Sequence, residues 1–173
     1  MKKTVLFTII FVICLSMICS IYYLSFYGGG SQKRLLSYIE NDDIDKLVLT
    51  IRYFDLYLPQ LPNSLDFLIS QSDEQEPHAY KVVVDGKELN KYKEELIAVA
   101  TSIPTPVSEN LRINAMVYFD LKNKHGKTIF EFIMGGWEMP TAMLVNGKWV
   151  EEEDCYYDIV RPFLIESTSP FEF

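Results

Sequence analysis

The feature that most constrains this chain is a run near its amino end that carries no charge. No Asp, Glu, Lys or Arg occurs between Thr4 and Gln32, and 19 of the 24 residues from Thr4 to Tyr27 are apolar. A helix of that length spans about 36 Å, enough to cross a hydrocarbon core of about 30 Å with some tilt. The run therefore predicts a transmembrane helix over residues 4–27.

The residues on either side of this run predict its orientation. Lys2 and Lys3 precede it, and the positive-inside rule places such residues in the cytoplasm. Tyrosines at the far end of the run, Tyr27 among them, are typical of the membrane–water interface. We therefore expect residues 1–3 inside, a single-pass signal anchor at 4–27 in the cell membrane, and an extracytoplasmic domain. Residues 28–32 are rich in glycine and are interpreted as a flexible tether.

Two other interpretations of the same run stay open. A cleaved signal peptide also starts with basic residues, but its apolar region is usually about 7–15 residues long, and no small-residue cleavage site follows here. A lipoprotein would use Cys19, although Ile18 stands where a small residue is wanted. In all three cases the remaining domain lies outside the cytoplasm.

The charge of the chain belongs to the predicted domain, residues 33–173. The whole chain carries a formal charge of −8, and without Lys2 and Lys3 there are 14 basic against 24 acidic residues, a net charge of −10. Such a balance argues against nucleic acid as a partner and against tight docking on anionic lipid. Cys155 is the only cysteine in the domain, so no disulfide can form within it, and we interpret it as a small core residue.

Hydrophobic periodicity predicts an α+β domain with a mainly antiparallel sheet and helices packed against one face. The predicted elements follow the order α-β-α-β-α-β-β-β-β-α. The Asn146-Gly147 pair is typical of a two-residue hairpin turn. The predicted strands cover residues 46–57, 79–84, 112–122, 127–134, 141–145 and 148–150, and the two longest predicted helices cover 87–102 and 151–165.

The least ordinary stretch of the domain runs from Gly135 to Pro140. Tryptophan and methionine are frequent contact residues at interfaces, so Trp137, Glu138 and Met139 are the tentative binding residues. A bulge and crossover with Trp137 folded onto the core explains the same residues. Trp149, in the last predicted hairpin, is expected to pack across strands.

The sequence contains no catalytic, nucleotide or metal-binding motif of the familiar kinds. His78 and His125 are 47 positions apart, each in or beside a predicted turn. The acidic run at 151–154 is interpreted as the start of a helix, where acidic residues are favourable, and whether it binds Ca²⁺ stays open. We therefore predict no cofactor, no metal site and no catalytic residue.

These observations favour a non-enzymatic interaction or accessory module of the cell envelope. It is held in the membrane by residues 4–27 and binds a protein partner through the sheet face or the loop around Trp137. The alternative is an anchored envelope hydrolase that uses carboxylates such as Glu131, Glu138 and Asp158, because glycoside cleavage needs two carboxylates at a set distance.

Overall fold

The computed structural model describes residues 30–54, 64–107, 115–135 and 142–164. The transmembrane helix predicted at 4–27 lies outside these ranges. Within them, no helix is long and apolar enough to cross a membrane.

The described ranges form one six-stranded sheet with the strand order β2-β1-β3-β4-β5-β6, and each neighbouring pair is antiparallel. This confirms the predicted α+β class with an antiparallel sheet. The strands are β1 (Leu47–Phe54), β2 (Ala79–Asp85), β3 (Val117–Asn123), β4 (Thr128–Met134), β5 (Ala142–Val145) and β6 (Lys148–Glu151). The α-helices are α1 (Gly30–Glu40), α2 (Leu65–Asp73), α3 (Gly86–Leu89), α4 (Lys93–Thr101) and α5 (Asp154–Val160).

One side of the sheet, which we call the first face, holds the main core. Alternate residues of β1 point to this face and are fully buried, as the period of two along a strand requires. Helices α1, α4 and α5 cover it with their apolar stripes. The buried residues that these elements contribute include Leu49, Ile51, Phe119, Phe132, Leu35, Leu96, Val99, Tyr156 and Ile159.

The opposite side, the second face, is covered at one end by α2. Phe54 and Tyr118 of the sheet form a smaller buried cluster with Leu68 of α2. The Ser64 side chain accepts a hydrogen bond from the Phe67 amide and so caps this helix. Helices therefore lie on both faces rather than on one, because the ends of β1 and β3 are apolar at successive positions and need a second cover.

The helix predicted at 87–102 is divided in the structure. The Asp85 side chain accepts hydrogen bonds from the amides of Lys87 and Glu88, which starts the short helix α3 directly after β2. A 3-10 turn at Asn90–Tyr92 then leads into α4. The apolar spacing indicates which residues are buried, but it does not reveal the change in helix type.

Two other helices also differ from their predicted ranges. Helix α1 begins at Gly30, so it includes the last three residues of the range 28–32 that the sequence assigns to a tether. Helix α5 covers only Asp154–Val160 of the predicted 151–165, and a 3-10 turn at Arg161–Phe163 follows it. Pro162 lies in that turn, in agreement with its inability to continue an α-helix.

Two hairpin turns occur where the sequence predicts them. Asn146 and Gly147 have φ values of 48° and 76°, which are the positive values that a type I′ turn requires. In the other turn, the Asn123 side chain accepts hydrogen bonds from the amides of His125 and Lys127. Because these turns close tightly, they fix the register of β3 with β4 and of β5 with β6.

Gly86 offers a test of this packing. A Cβ atom added there would lie 2.5 Å from the carbonyl oxygen of Ile44 and would overlap the backbone of Asp45. We expect Gly86→Ala to lower the free energy of unfolding by about 1–3 kcal/mol, since the backbone must move to admit a methyl group. Urea unfolding of the full chain in detergent measures this. The matched control is Gly30→Ala, where a Cβ meets nothing within 4 Å, and equal effects of the two changes would contradict the prediction.

Candidate interaction surface

The central strands β1, β3 and β4 carry several polar side chains on the second face. Four polar residues form two opposed pairs across the central strands: Arg52 of β1 is opposite Tyr118 of β3, and Asp120 of β3 is opposite Glu131 of β4. Asp120 is only 2% exposed. A sheet face with charged residues this deep needs a hydrogen-bond partner for each of them, since an unpaired buried charge is costly.

The carboxylates in the middle of the face have such partners. Tyr118 donates a hydrogen bond of 2.8 Å to Glu131, and burial together with this bond raises the pKa of the phenol, so it stays a donor at neutral pH. Asp120 lies 2.6 Å from the Lys122 ammonium and accepts a hydrogen bond from the Thr128 hydroxyl at 3.3 Å. The two opposed carboxylates are therefore held on separate partners, which offsets the repulsion expected between like charges directly across a sheet.

A second polar cluster joins α2 to the sheet. Asp73, the last residue of α2, lies 2.7 Å from the Lys81 ammonium and 3.1 Å from the Arg52 guanidinium. Lys81 and, after it, Arg52 lower the pKa of the Asp73 carboxyl below its usual value. Since Arg52 and Lys81 are opposite each other on β1 and β2, one carboxylate of the helix ties two strands together.

The two edges of the sheet differ. At the β6 edge, Pro106 forms a bridge with Val150, the Val107 amide donates to the Trp149 carbonyl at 3.1 Å, and the Glu151 amide donates to the Thr105 carbonyl at 2.8 Å. No strand of the described ranges pairs with the outer side of β2. We call this outer side of Ala79–Asp85 the β2 edge. An unpaired edge of seven residues offers its amide and carbonyl groups to another strand.

The side chains around the β2 edge are exposed and partly apolar. Val83 of β2 is 59% exposed. An open depression of about 680 Å³ runs along this edge between β2 and the turn after α2, lined in part by Ser72, Gln75, His78, Tyr80 and Lys81. In the described part of the domain, this region combines an unpaired strand edge, an exposed apolar side chain and a concave surface. Binding by strand addition uses these features.

The predicted binding residues Trp137, Glu138 and Met139 lie outside the described residues. Trp149 is opposite Leu144 across β5 and β6, as expected for cross-strand packing. Of the three carboxylates considered for a hydrolase, Glu131 lies on the second face, whereas Asp158 is exposed on α5, which covers the first face. The structure does not bring these two residues together, and Glu138 lies outside the described ranges.

The other residues considered as ligands are also described. His78 and His125 lie in separate turns, and Asp154 starts α5 while Glu152 accepts a hydrogen bond from Tyr157. Among the residues that the structure describes, no group of three or more His, Cys, Asp and Glu side chains is placed to hold a metal ion.

Cys155 belongs to a polar contact between helices of the first face. It is half-buried, and burial followed by the charge of Glu153 raises the pKa of its thiol to about 11. Next to it, the Ser102 hydroxyl lies 3.0 Å from that of Tyr156, and the Gln32 amide donates to the Ser102 carbonyl at 2.9 Å. These bonds join α1 and α5 to the end of α4. The raised pKa keeps the Cys155 thiol in its neutral form.

No family model matches this chain, and no curated protein and no solved structure matches it either. The β2 edge therefore has to be interpreted from its own geometry. Sequence reasoning missed this edge, and the one signal present concerns only its exposed apolar residue, Val83. Val82, Val83 and Val84 form an unbroken apolar run, and the alternation of a strand turns the middle valine to the opposite face from its neighbours.

The contacts of Asp73 give a pH-dependent prediction. A lowered pKa in the folded state means that the stabilisation is present above the usual value of 3.8 and is lost as the pH falls through the lowered value. We expect Asp73→Asn to cost up to about 1 kcal/mol at pH 7, since the carboxylate is partly exposed. Below the lowered pKa the difference from the unchanged protein should disappear. Thermal unfolding across the pH range measures it, with the exposed Glu76→Gln as a control, and a difference that is constant with pH would count against the ion pairs.

Proposed function

We propose that this chain is a single-pass membrane protein whose domain lies outside the cytoplasm and binds another protein by adding a strand to the β2 edge. The domain is then the interaction module of the cell envelope that the sequence favours, and its binding surface is the sheet edge instead of the loop around Trp137.

The membrane part of the proposal is supported by the sequence. The run at 4–27 is charge-free, is preceded by Lys2 and Lys3 and ends in tyrosines, which together are typical of an anchor with its amino end inside. The strongly acidic remainder fits a domain that stays in solution at the membrane surface and does not lie on anionic lipid.

The observation that carries the binding role is the contrast between the two edges. Natural sheets usually protect their edges, because an open edge pairs with other chains. The β6 edge has such protection from Thr105–Val107. The β2 edge is longer, carries the exposed Val83 and borders an open depression. Within the part of the domain that the structure describes, one edge of the sheet is open and the other is covered, and a partner for the open edge best explains this difference.

The orientation is tested with a single cysteine. Ile103 is 91% exposed in the segment after α4, so Ile103→Cys in a background without Cys14, Cys19 and Cys155 gives an accessible thiol. We expect a membrane-impermeant maleimide to label it in intact cells. Cys155 itself is a poor reporter, because its thiol is half-buried with a pKa of about 11.

A cysteine at the other end of the anchor is the matched control. Thr4→Cys in the same background should be labelled only after the cells are opened. Labelling of the Ile103→Cys chain only after lysis would overturn the proposed orientation. Release of the labelled domain from the membrane fraction would indicate a cleaved signal peptide instead of an anchor.

The binding role is tested by a photo-crosslinking residue placed at Val83 in the full chain. We expect irradiation of intact cells to give a covalent protein adduct from this position. The control position is Asp158, which is also exposed but lies on α5 over the first face. Absence of adducts from Val83, or equal adducts from both positions, would overturn the β2 edge as the binding surface.

A further inference from the structure

We infer that the partner strand at the β2 edge is β2 of a second copy of this chain, paired antiparallel about a two-fold axis that passes beside Val83, perpendicular to the sheet. This inference rests on the proposed function, since it names the partner of the same surface. The two sheets would join into one of twelve strands, and each copy would use the same residues.

The charges along β2 are complementary to themselves in this arrangement. Lys81, Val83 and Asp85 are the exposed residues of β2 that share the second face. When Val83 lies opposite its own copy, Lys81 of each chain lies opposite Asp85 of the other, because antiparallel pairing reverses the order. Two opposite-charge pairs then flank one apolar pair, and each such cross-strand pair contributes about 0.2–1 kcal/mol.

Neighbouring registers lose this match. With Val82 at the centre, Lys81 lies opposite Val83, and no charged pair forms. With Val84 at the centre, Asp85 lies opposite Val83. Residues on one face of a strand recur at every second position. The charge pairs therefore favour the register centred on Val83 over the registers centred on Val82 and Val84.

The segments at the ends of β2 agree with the same pairing. The acidic turn before β2 carries the exposed Glu74 and Glu76. At the other end the exposed Lys87 follows β2, and the acidic Glu88 after it is paired with Lys91 of its own chain. Antiparallel pairing brings the beginning of one strand beside the end of the other. The acidic end of each copy therefore approaches the basic residue of its partner.

The contact between the two copies is expected to be weak. An edge-to-edge contact is narrow and belongs to the small end of specific interfaces, so we expect a reversible dimer that forms as the concentration rises. Sedimentation of the full chain in detergent micelles, over a range of protein concentrations, measures the dissociation constant.

Charge reversal gives the sharpest test. In Lys81→Asp the flanking pairs become Asp–Asp, and in Asp85→Lys they become Lys–Lys, so each variant alone should dimerise at least about tenfold more weakly. A mixture of the two variants should regain the dimer, because every charged pair across the mixed dimer is again Lys–Asp.

The mixed sample is its own control for folding. Lys81 bonds to Asp73 and Asp85 caps α3, so each change alters the single chain as well. Lost contacts within a chain are not restored by mixing two altered chains, whereas a contact between chains is. If the mixture stays as monomeric as either variant alone, the two-fold pairing is wrong.

A disulfide locates the axis. In the background without native cysteines, Val83→Cys should join two copies under mild oxidation, since each new thiol faces its own copy. Lys81→Cys is the control, because Cys at position 81 of the two copies would stand four positions apart along the strands, at about 13 Å. Bonding from Lys81→Cys but not from Val83→Cys would overturn the register.

The photo-crosslinks from Val83 separate this inference from the proposed function. An adduct of twice the mass of the chain supports self-pairing. An adduct with a different protein, and none with the chain itself, overturns the dimer and leaves the β2 edge as a binding surface. Absence of any adduct overturns both proposals.

Discussion

The pairing of β1 with both of its neighbours is the interaction on which the rest of the domain depends. β1 is paired with β2 on one side and with β3 on the other, over seven residue pairs each. Its alternate residues, such as Leu49 and Ile51, are fully buried under the helices of the first face. A slip of one residue would bring Arg52 and Thr50 into that core, so the core itself fixes the register of three strands.

The same register creates the polar second face and its edge. With Ile51 directed into the core, Arg52 must point the other way, where it is opposite Lys81 on β2 and Tyr118 on β3. Two cations side by side repel, and Asp73 at the end of α2 lies between them and removes the conflict. The position of α2 is therefore determined by apolar packing at Phe54 and by charge at the end of the helix.

Local chemistry explains what the sequence could predict. The Asn146-Gly147 turn and the alternation in β1 depend on a few adjacent residues, and both occur where they were expected. The cluster around Asp73 could not be predicted, because it joins residues from β1, α2 and β2 that only the register brings together. The open β2 edge depends on the strand order, and no local pattern states which strand is outermost.

An open sheet edge can pair with other chains and aggregate. The charges of β2 limit the ways in which this edge can pair. Parallel stacking in register, as in fibrils, would place Lys81 over Lys81 and Asp85 over Asp85, which is unfavourable on both counts. The antiparallel two-fold pairing instead matches each lysine with an aspartate. In this pairing the β2 edges of both copies are paired with each other. The β6 edge of each copy is already covered by Thr105–Val107. Because the contact is isologous, the assembly closes at two copies and does not grow.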